Sequence, residues 1–144
     1  PALVTLLLVA VAWPDTGAYF VGRAFGRHKM APRTSPKKSL EGAAGGVLGA
    51  VAAAAVLLGL IRLFGWEQAY PLACWPVYLP LAAALSVVGQ IGDLVESMIK
   101  REAGIKDSSG IFPGHGGVLD RCDGILFAAP ALYYLFYGLQ ALLQ

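Results

Sequence analysis

Charged residues are scarce in this chain. They make up 14% of its 144 residues, whereas 57% are hydrophobic, and the mean hydropathy is +0.63. A soluble domain of this size needs a polar surface that so few charges cannot supply. The composition therefore indicates a membrane protein, and its small basic surface argues against nucleic-acid binding.

Cysteine is also rare. Cys74 and Cys122 are the only cysteines; they show no zinc-site spacing, and we expect both to be free structural thiols. The apolar stretch 1–13 shows no basic region of the kind that begins a signal peptide, so we do not expect it to be one. We expect it to be the end of a helix whose start, and whose preceding helices, lie outside this chain.

What the sequence does have is long uncharged runs. Residues 43–61 form 19 consecutive positions without a charge, which as a helix span about 28 Å, close to the ~30 Å hydrocarbon core of a bilayer. Similar runs cover 71–91 and 124–143. We predict an all-α polytopic membrane protein with about four transmembrane helices and a single transmembrane domain over residues 1–144.

The positions of the basic residues predict the topology. Of 11 Lys and Arg, six lie between Arg23 and Lys38 and four between Lys100 and Arg121, whereas Arg62 stands alone. The positive-inside rule then puts the first and third connections in the cytoplasm. Crossings along 43–61, 72–92 and 124–143 satisfy that alternation.

The first connection, which we place at residues 14–46, is rich in bases, glycine and serine. Pro32 and Pro36 forbid a continuous helix through it, so this part should be extended or turned. Glycines 17, 22 and 26 are expected to keep the preceding turns slim. A basic loop can simply face anionic lipid headgroups, but the glycines and serines also let backbone N–H groups converge on phosphate oxygens.

The end of this connection carries two further signals. Ser39 followed by Glu41 predicts the start of the next helix, although it is not a complete capping box. Gly45 and Gly49 have GxxxG spacing, which allows close helix approach either within the chain or in a dimer.

Four polar residues at the end of the next apolar helix are predicted to share one side of it. Asp93, Glu96, Ser97 and Lys100 have i, i+3 and i, i+4 spacing. A charge at the centre of a membrane helix costs about 2.5–3.5 kcal/mol on insertion scales, so such groups pair, bind an ion or line an aqueous cavity. Glu96 can pair with Lys100. Asp93 has only that same lysine nearby and is the stronger candidate ligand.

The stretch "KDSSGIFPGHGGVLDRCDG", residues 106–124, places five charges and a histidine between apolar segments. Its glycines and Pro113 break any helix and allow close backbone approach to a ligand. Asp120 and Asp123 follow at the start of the last helix. Carboxylates beside basic residues suggest a Mg²⁺ site that also holds phosphates, although an acidic pair at a helix N-terminus is common for electrostatic reasons alone.

These residues resemble a known family. The segment Ser97 to Asp123 is similar to the C-terminal signature of the phosphatidate cytidylyltransferases, also called CDP-diacylglycerol synthases. The first connection is similar to theirs at Asp15, "GRAFG" and "SPKKSLEG". Cys122 departs from the pattern, in which an aliphatic residue, Phe or Thr is usual. The shared positions in the signature are Ser97, Lys100, Arg101, Lys106, Asp107, Phe112, Pro113, His115, Gly116, Gly117, Asp120, Arg121 and Asp123.

The resemblance implies that CTP and phosphatidic acid react to CDP-diacylglycerol and pyrophosphate in an integral membrane homodimer, at a cytoplasmic site in the bacterial inner membrane. It implies Mg²⁺ as cofactor, and admits a monovalent cation such as K⁺ beside it. The implied metal ligands are Asp93, Asp120 and Asp123. The implied catalytic residues are these three with Lys106 and Arg121. The implied nucleotide and phosphate contacts are Asp15, Ser35, Lys37, Lys38, Glu41, Lys100, Arg101 and His115.

Four other functions remain open at this point. A CTP-dependent lipid kinase, or a cytidylyltransferase for another lipid phosphate, would present a similar loop. A transporter could use Asp93 as an ion site, but it predicts paired repeats or charges facing both sides. A purely structural membrane subunit would not need the loop around His115.

Overall fold

The computed structural model describes residues 2–31, 35–68, 75–105 and 119–142, with the backbone alone at residues 36–37, 75, 119–122 and 139–142. These ranges contain four long helices: α1 (Ala2–Phe25), α2 (Leu40–Leu63), α3 (Trp75–Glu102) and α4 (Leu119–Leu142). A two-stranded antiparallel hairpin of β1 (Lys29–Ala31) and β2 (Ser35–Ser39) joins α1 to α2. A short 3₁₀ helix, Trp66–Gln68, follows α2.

Three of these helices are long and apolar enough to cross a membrane. They are α1, α2 and the Pro76–Glu102 part of α3. Many large apolar side chains on the helices point outward, among them Leu48, Val56, Leu126 and Tyr134, as expected where lipid covers the protein. The all-α membrane class is confirmed, while a fourth crossing along 124–143 stays a prediction.

The first helix is longer than predicted. We placed a connection from residue 14 onward, but α1 continues through Pro14 as far as Phe25. Proline removes one backbone donor and normally breaks a helix, yet membrane helices tolerate it where neighbouring helices pack against it, and Pro14 is buried. The placement of Gly17 and Gly22 in turns was therefore wrong.

These glycines instead let α1 and α2 approach each other closely. A Cβ atom added at Gly17 would collide with the backbone carbonyl oxygen of Gly45, and one added at Gly49 would lie 3.2 Å from the Cα atom of Gly17. The GxxxG pair of α2 is thus used within the chain, one of the two alternatives that the sequence left open. Small residues at such interfaces allow backbones to pack without a hydrophobic driving force.

The extended strand around Pro36 and the start of α2 agree with the sequence. Pro36 lies in β2, within the segment predicted to be extended or turned, whereas Pro32 lies outside the described residues. Ser39 has extended backbone angles, and its Oγ atom accepts a hydrogen bond from the Gly42 N–H at 3.1 Å. This is N-cap geometry, so α2 begins where the sequence indicated.

The buried core lies towards the end of the bundle opposite the hairpin. Leu6, Leu58 and Leu85 are almost fully buried there. Tyr78, at the start of α3, is fully buried, and its hydroxyl donates to the Ala2 carbonyl at 3.1 Å. The starts of α1 and α3 therefore lie together, and the ends of both helices meet the hairpin and the start of α4 at the other end.

We expect Gly17→Ala to destabilise the bundle by about 1–3 kcal/mol, because the added methyl meets backbone that cannot rotate away. Gly59→Ala in α2 is the matched control, since nothing lies within 4 Å of a Cβ atom there. Thermal unfolding in detergent measures both variants. Equal midpoints for the two would contradict the proposed close contact.

Candidate active site

Two neighbouring cavities lie at the end of the bundle that carries the hairpin. The smaller, about 200 Å³, lies between α1, the hairpin, α2 and α3. The larger, about 390 Å³, lies between α1, α3 and α4. Pro14, Asp15, Gln90 and Asp93 line both of them, so the two cavities share one wall.

An ion pair joins the hairpin to α3 at this wall. The ammonium of Lys38 contacts the carboxylate of Asp93, 55 residues later in the chain. Both side chains are about one-third exposed, so water or a ligand can reach them. The partner of Asp93 is thus a lysine from the first basic connection, which local spacing along the helix could not predict.

Two more carboxylates face this pair. Asp15 is within electrostatic reach of both Asp93 and Lys38. Asp123 is half-buried, lines the larger cavity, and accepts a hydrogen bond from the Gly124 N–H at 2.6 Å. Acids from α1, α3 and α4 therefore line one cavity at this end of the bundle, and Asp93 and Asp123 are two of the three carboxylates that the resemblance implied as metal ligands.

Glu96 is the most deeply buried acid of this region, with 7% of its surface exposed. Its Oε1 atom lies 3.3 Å from the Lys100 ammonium, which confirms the predicted i, i+4 pair. Asp123 lies within electrostatic reach of both Glu96 and Asp93. Among the described side chains, four acids thus share two lysines, and this excess of negative charge favours a cation.

The fit to a magnesium ion can be tested on these residues. Mg²⁺ prefers oxygen ligands and is usually held by one or two carboxylates together with substrate phosphates. Asp93 and Asp123 supply such oxygens to one cavity, so the donor set fits. No three metal-ligating side chains form a cluster in the described part of the chain, and the side chain of Asp120 lies outside it. The metal site stays a prediction.

Glu41 has a different neighbourhood from the one expected of a nucleotide contact. Its carboxylate accepts hydrogen bonds from the backbone N–H groups of Arg27 and His28 at 3.2 Å, and lies 2.6 Å from the His28 ring nitrogen Nδ1. It does not line either cavity. In this structure Glu41 ties the end of α1 to the first turn of α2, and so fixes the base of the hairpin that carries Lys38.

The other predicted site residues divide into three groups. Ser35 begins β2, and Arg101 lies exposed in the last turn of α3; neither lines either of the two cavities described above. Lys37, Asp120 and Arg121 have described backbones only, and the last two begin α4 as predicted. Lys106 and His115 lie outside the described residues. Their roles stay predictions.

Sequence reasoning did not find Gln90. Its amide Nε2 donates to the Ala43 carbonyl at 3.3 Å and to the Ser86 hydroxyl at 3.1 Å, and the side chain forms the wall between the two cavities. Its signal in the sequence was a lone amide one turn before Asp93 in an apolar helix. Met30 and Tyr19 in the smaller cavity were missed as well.

The fold and site together define an integral membrane protein with a charged, water-accessible cavity at one end. Comparison with known proteins agrees with this class. The model of the cytidylyltransferase family matches residues 2–139. The chain belongs to this family.

Relatives with curated names give a more specific likeness. The chain is 50% identical over 137 residues to the phosphatidate cytidylyltransferase of Brucella suis biovar 1 (strain 1330), covering 94% of this chain and 47% of the relative. It is 42% identical over 141 residues to that of Thermotoga maritima (96% and 51%), and 46% identical over 127 residues to that of Bacillus subtilis strain 168 (87% and 44%). The chain spans about half the length of these relatives.

We expect Glu41→Ala to loosen the hairpin, because three donors lose their acceptor together. Trypsin should then cleave after Arg27 or Lys29 several times faster in membranes. The cleavage rate of Glu41→Gln should lie between those of the wild type and Glu41→Ala, since the amide keeps one acceptor oxygen. Glu67→Ala, an exposed acid at the opposite end, serves as control. Unchanged cleavage in Glu41→Ala would contradict the role of this carboxylate.

Proposed function

We propose that this chain is the transmembrane catalytic part of an enzyme that transfers the cytidylyl group of CTP to phosphatidic acid. The products are CDP-diacylglycerol and pyrophosphate, and the pathway is phospholipid biosynthesis. The observation that carries the proposal is the meeting of Asp15, Lys38, Asp93 and Asp123 at one end of an apolar bundle. The names of the relatives supply the reaction.

The reaction requires two anions to meet. An oxygen of the lipid phosphate attacks the α-phosphorus of CTP; a new P–O bond forms, and the bond to the β-phosphate oxygen breaks as pyrophosphate leaves. The attacking oxygen is already anionic at neutral pH, so a general base is not needed. Positioning and charge neutralisation are the main catalytic resources.

The ion pair of Lys38 and Asp93 suits this task. When a phosphate enters the smaller cavity, the lysine can exchange its carboxylate partner for phosphate oxygens. Asp93 then becomes available as a metal ligand beside Asp123. The lysine and the carboxylate therefore hold each other in place until the substrate arrives, which avoids leaving either charge unpaired at the membrane boundary.

Magnesium, held by Asp93, Asp120 and Asp123, would supply charge neutralisation on the phosphates. A monovalent cation such as K⁺ could sit beside it, because the described acids outnumber their lysine partners. Lys106, Arg121 and Lys37 are proposed to neutralise the triphosphate and the lipid phosphate. Lys100, Arg101, Ser35 and His115 are proposed as further polar contacts of the substrates.

The orientation in the membrane follows from the charges around the site. Arg23, Arg27, Lys29 and Lys38 lie at the end of the bundle with the cavities, and Arg62 lies at the other end. On the positive-inside rule we propose that the site faces the cytoplasm, in the inner membrane of a bacterium. We also propose a homodimer, which must use a surface other than the Gly45–Gly49 contact, because α1 covers it.

Labelled CTP distinguishes this function from a CTP-dependent lipid kinase. In membranes containing the protein and phosphatidic acid, label on the α-phosphate or the cytosine is expected to reach lipid in the presence of Mg²⁺, while label on the γ-phosphate leaves as pyrophosphate. Transfer of γ-label alone would instead establish a kinase. If phosphatidic acid receives no label but another lipid phosphate does, that other lipid phosphate is the substrate.

We expect Asp93→Asn to reduce turnover at least 100-fold, because it removes both a proposed metal ligand and the partner of Lys38. The variant should still insert in the membrane, which a membrane-extraction assay checks. Glu102→Gln, an exposed acid at the end of the same helix, is the control and should stay near the wild-type rate. Near-normal turnover in Asp93→Asn would exclude the metal assignment.

A further inference from the structure

The smaller cavity contains one aromatic ring to which the proposed reaction gives no role. Tyr19 lines this cavity together with Asp15, Lys38 and Asp93. Its side chain is 58% exposed, so one part of the ring is open to a ligand. An open aromatic ring beside groups that hold phosphate is the arrangement in which a nucleobase can stack.

The position of Tyr19 along α1 gives the ring a defined place relative to the phosphate site. Asp15, Tyr19 and Arg23 follow at four-residue spacing, so they lie along one face of the helix with a rise of about 6 Å between successive members. Asp15 is the innermost of the three, and Arg23 lies in the last turn of α1. From the proposed reaction centre outward, this face of α1 thus presents the carboxylate of Asp15, the ring of Tyr19 and the guanidinium of Arg23.

The ring is also held in a fixed orientation. Nη1 of Arg23 donates a hydrogen bond to the Tyr19 hydroxyl at 3.0 Å, and the Phe20 ring meets Tyr19 edge-on with centroids 5.7 Å apart. A ring fixed before binding loses little conformational entropy when a base stacks on it. Met30 of β1 lines the same cavity, and its polarisable sulfur is a favourable neighbour for an aromatic ring system.

We infer that Tyr19 is the stacking platform for the pyrimidine base of the nucleotide substrate, with the triphosphate directed towards Lys38. This inference rests on the proposed function, because it assumes that a nucleoside triphosphate enters the smaller cavity. A lipid acyl chain is the less suitable occupant here, since charged side chains line this cavity. An uncharged groove of Trp13, Gly49, Val56 and Leu60 lies elsewhere between α1 and α2.

Tyr19→Leu tests this role, because it removes the aromatic face and keeps an apolar side chain. The KM for CTP should rise about tenfold, in the range that base stacking gives. The inhibition constant of inorganic triphosphate, which has no base, should stay the same. Tyr19→Phe keeps the ring and should show a smaller rise than Tyr19→Leu. Phe25→Leu, an exposed ring of the same helix outside both cavities, is the matched control.

These measurements distinguish a role of the Tyr19 ring in CTP binding from the roles of the other site residues. An unchanged KM for CTP in Tyr19→Leu, or an equal loss of CTP and triphosphate affinity, would overturn the inference. In either case an active wild-type protein leaves the proposed reaction standing, whereas a wild type that transfers no cytidylyl group from CTP rejects the reaction itself.

A binding measurement covers the case in which Tyr19→Leu does not fold. Tyr19→Trp keeps an aromatic face and adds a fluorophore at this position. CTP should quench fluorescence in this variant beyond any change seen in the wild type, and inorganic triphosphate should not. If CTP produces no additional quenching, the base does not stack at this position.

Discussion

The contact between Lys38 and Asp93 holds the candidate site together. A carboxylate on a membrane helix is costly unless it is paired or hydrated, and the nearest lysine on its own helix, Lys100, is already paired with Glu96. The hairpin supplies the partner of Asp93, which is Lys38 from the connection between α1 and α2. Because the pair bridges two distant parts of the chain, the position of the hairpin and the pairing of Asp93 depend on each other.

That dependence explains why several contacts in the first half of the chain serve to position the hairpin. Lys38 reaches α3 only if the hairpin is held firmly, and three features hold it: the N-cap of Ser39, the carboxylate of Glu41 on the backbone of Arg27 and His28, and the glycine contact between α1 and α2. None of these three features places a charged group in either cavity. They hold the ammonium of Lys38 at one position in a bundle of largely apolar helices.

Much of the fold could be predicted because a membrane imposes length and composition on helices. The run 43–61 lies inside α2, and Asp120 and Asp123 begin α4 as expected. The extent of α1 could not be predicted, since Pro14 and the glycines after it are helix breakers in isolation. The packing of α2 against them makes a helix favourable there. The GxxxG spacing of Gly45 and Gly49 indicated a close helix contact but did not show that α1 is the partner.

The same distinction separates the site residues that were found from those that were missed. Asp93, Asp123 and Lys38 have ionisable side chains. In an apolar chain such residues are few, so each of them is a candidate functional residue wherever it lies. Gln90 and Tyr19 are neutral, and in a sequence they resemble ordinary helix residues. Their importance appears only when the cavities place them beside the charges. In the proposed reaction the charged residues would bind the phosphates, and the neutral side chains around them would select the molecule that carries those phosphates. Substrate selection is therefore the part of the proposed site that sequence alone conveys least.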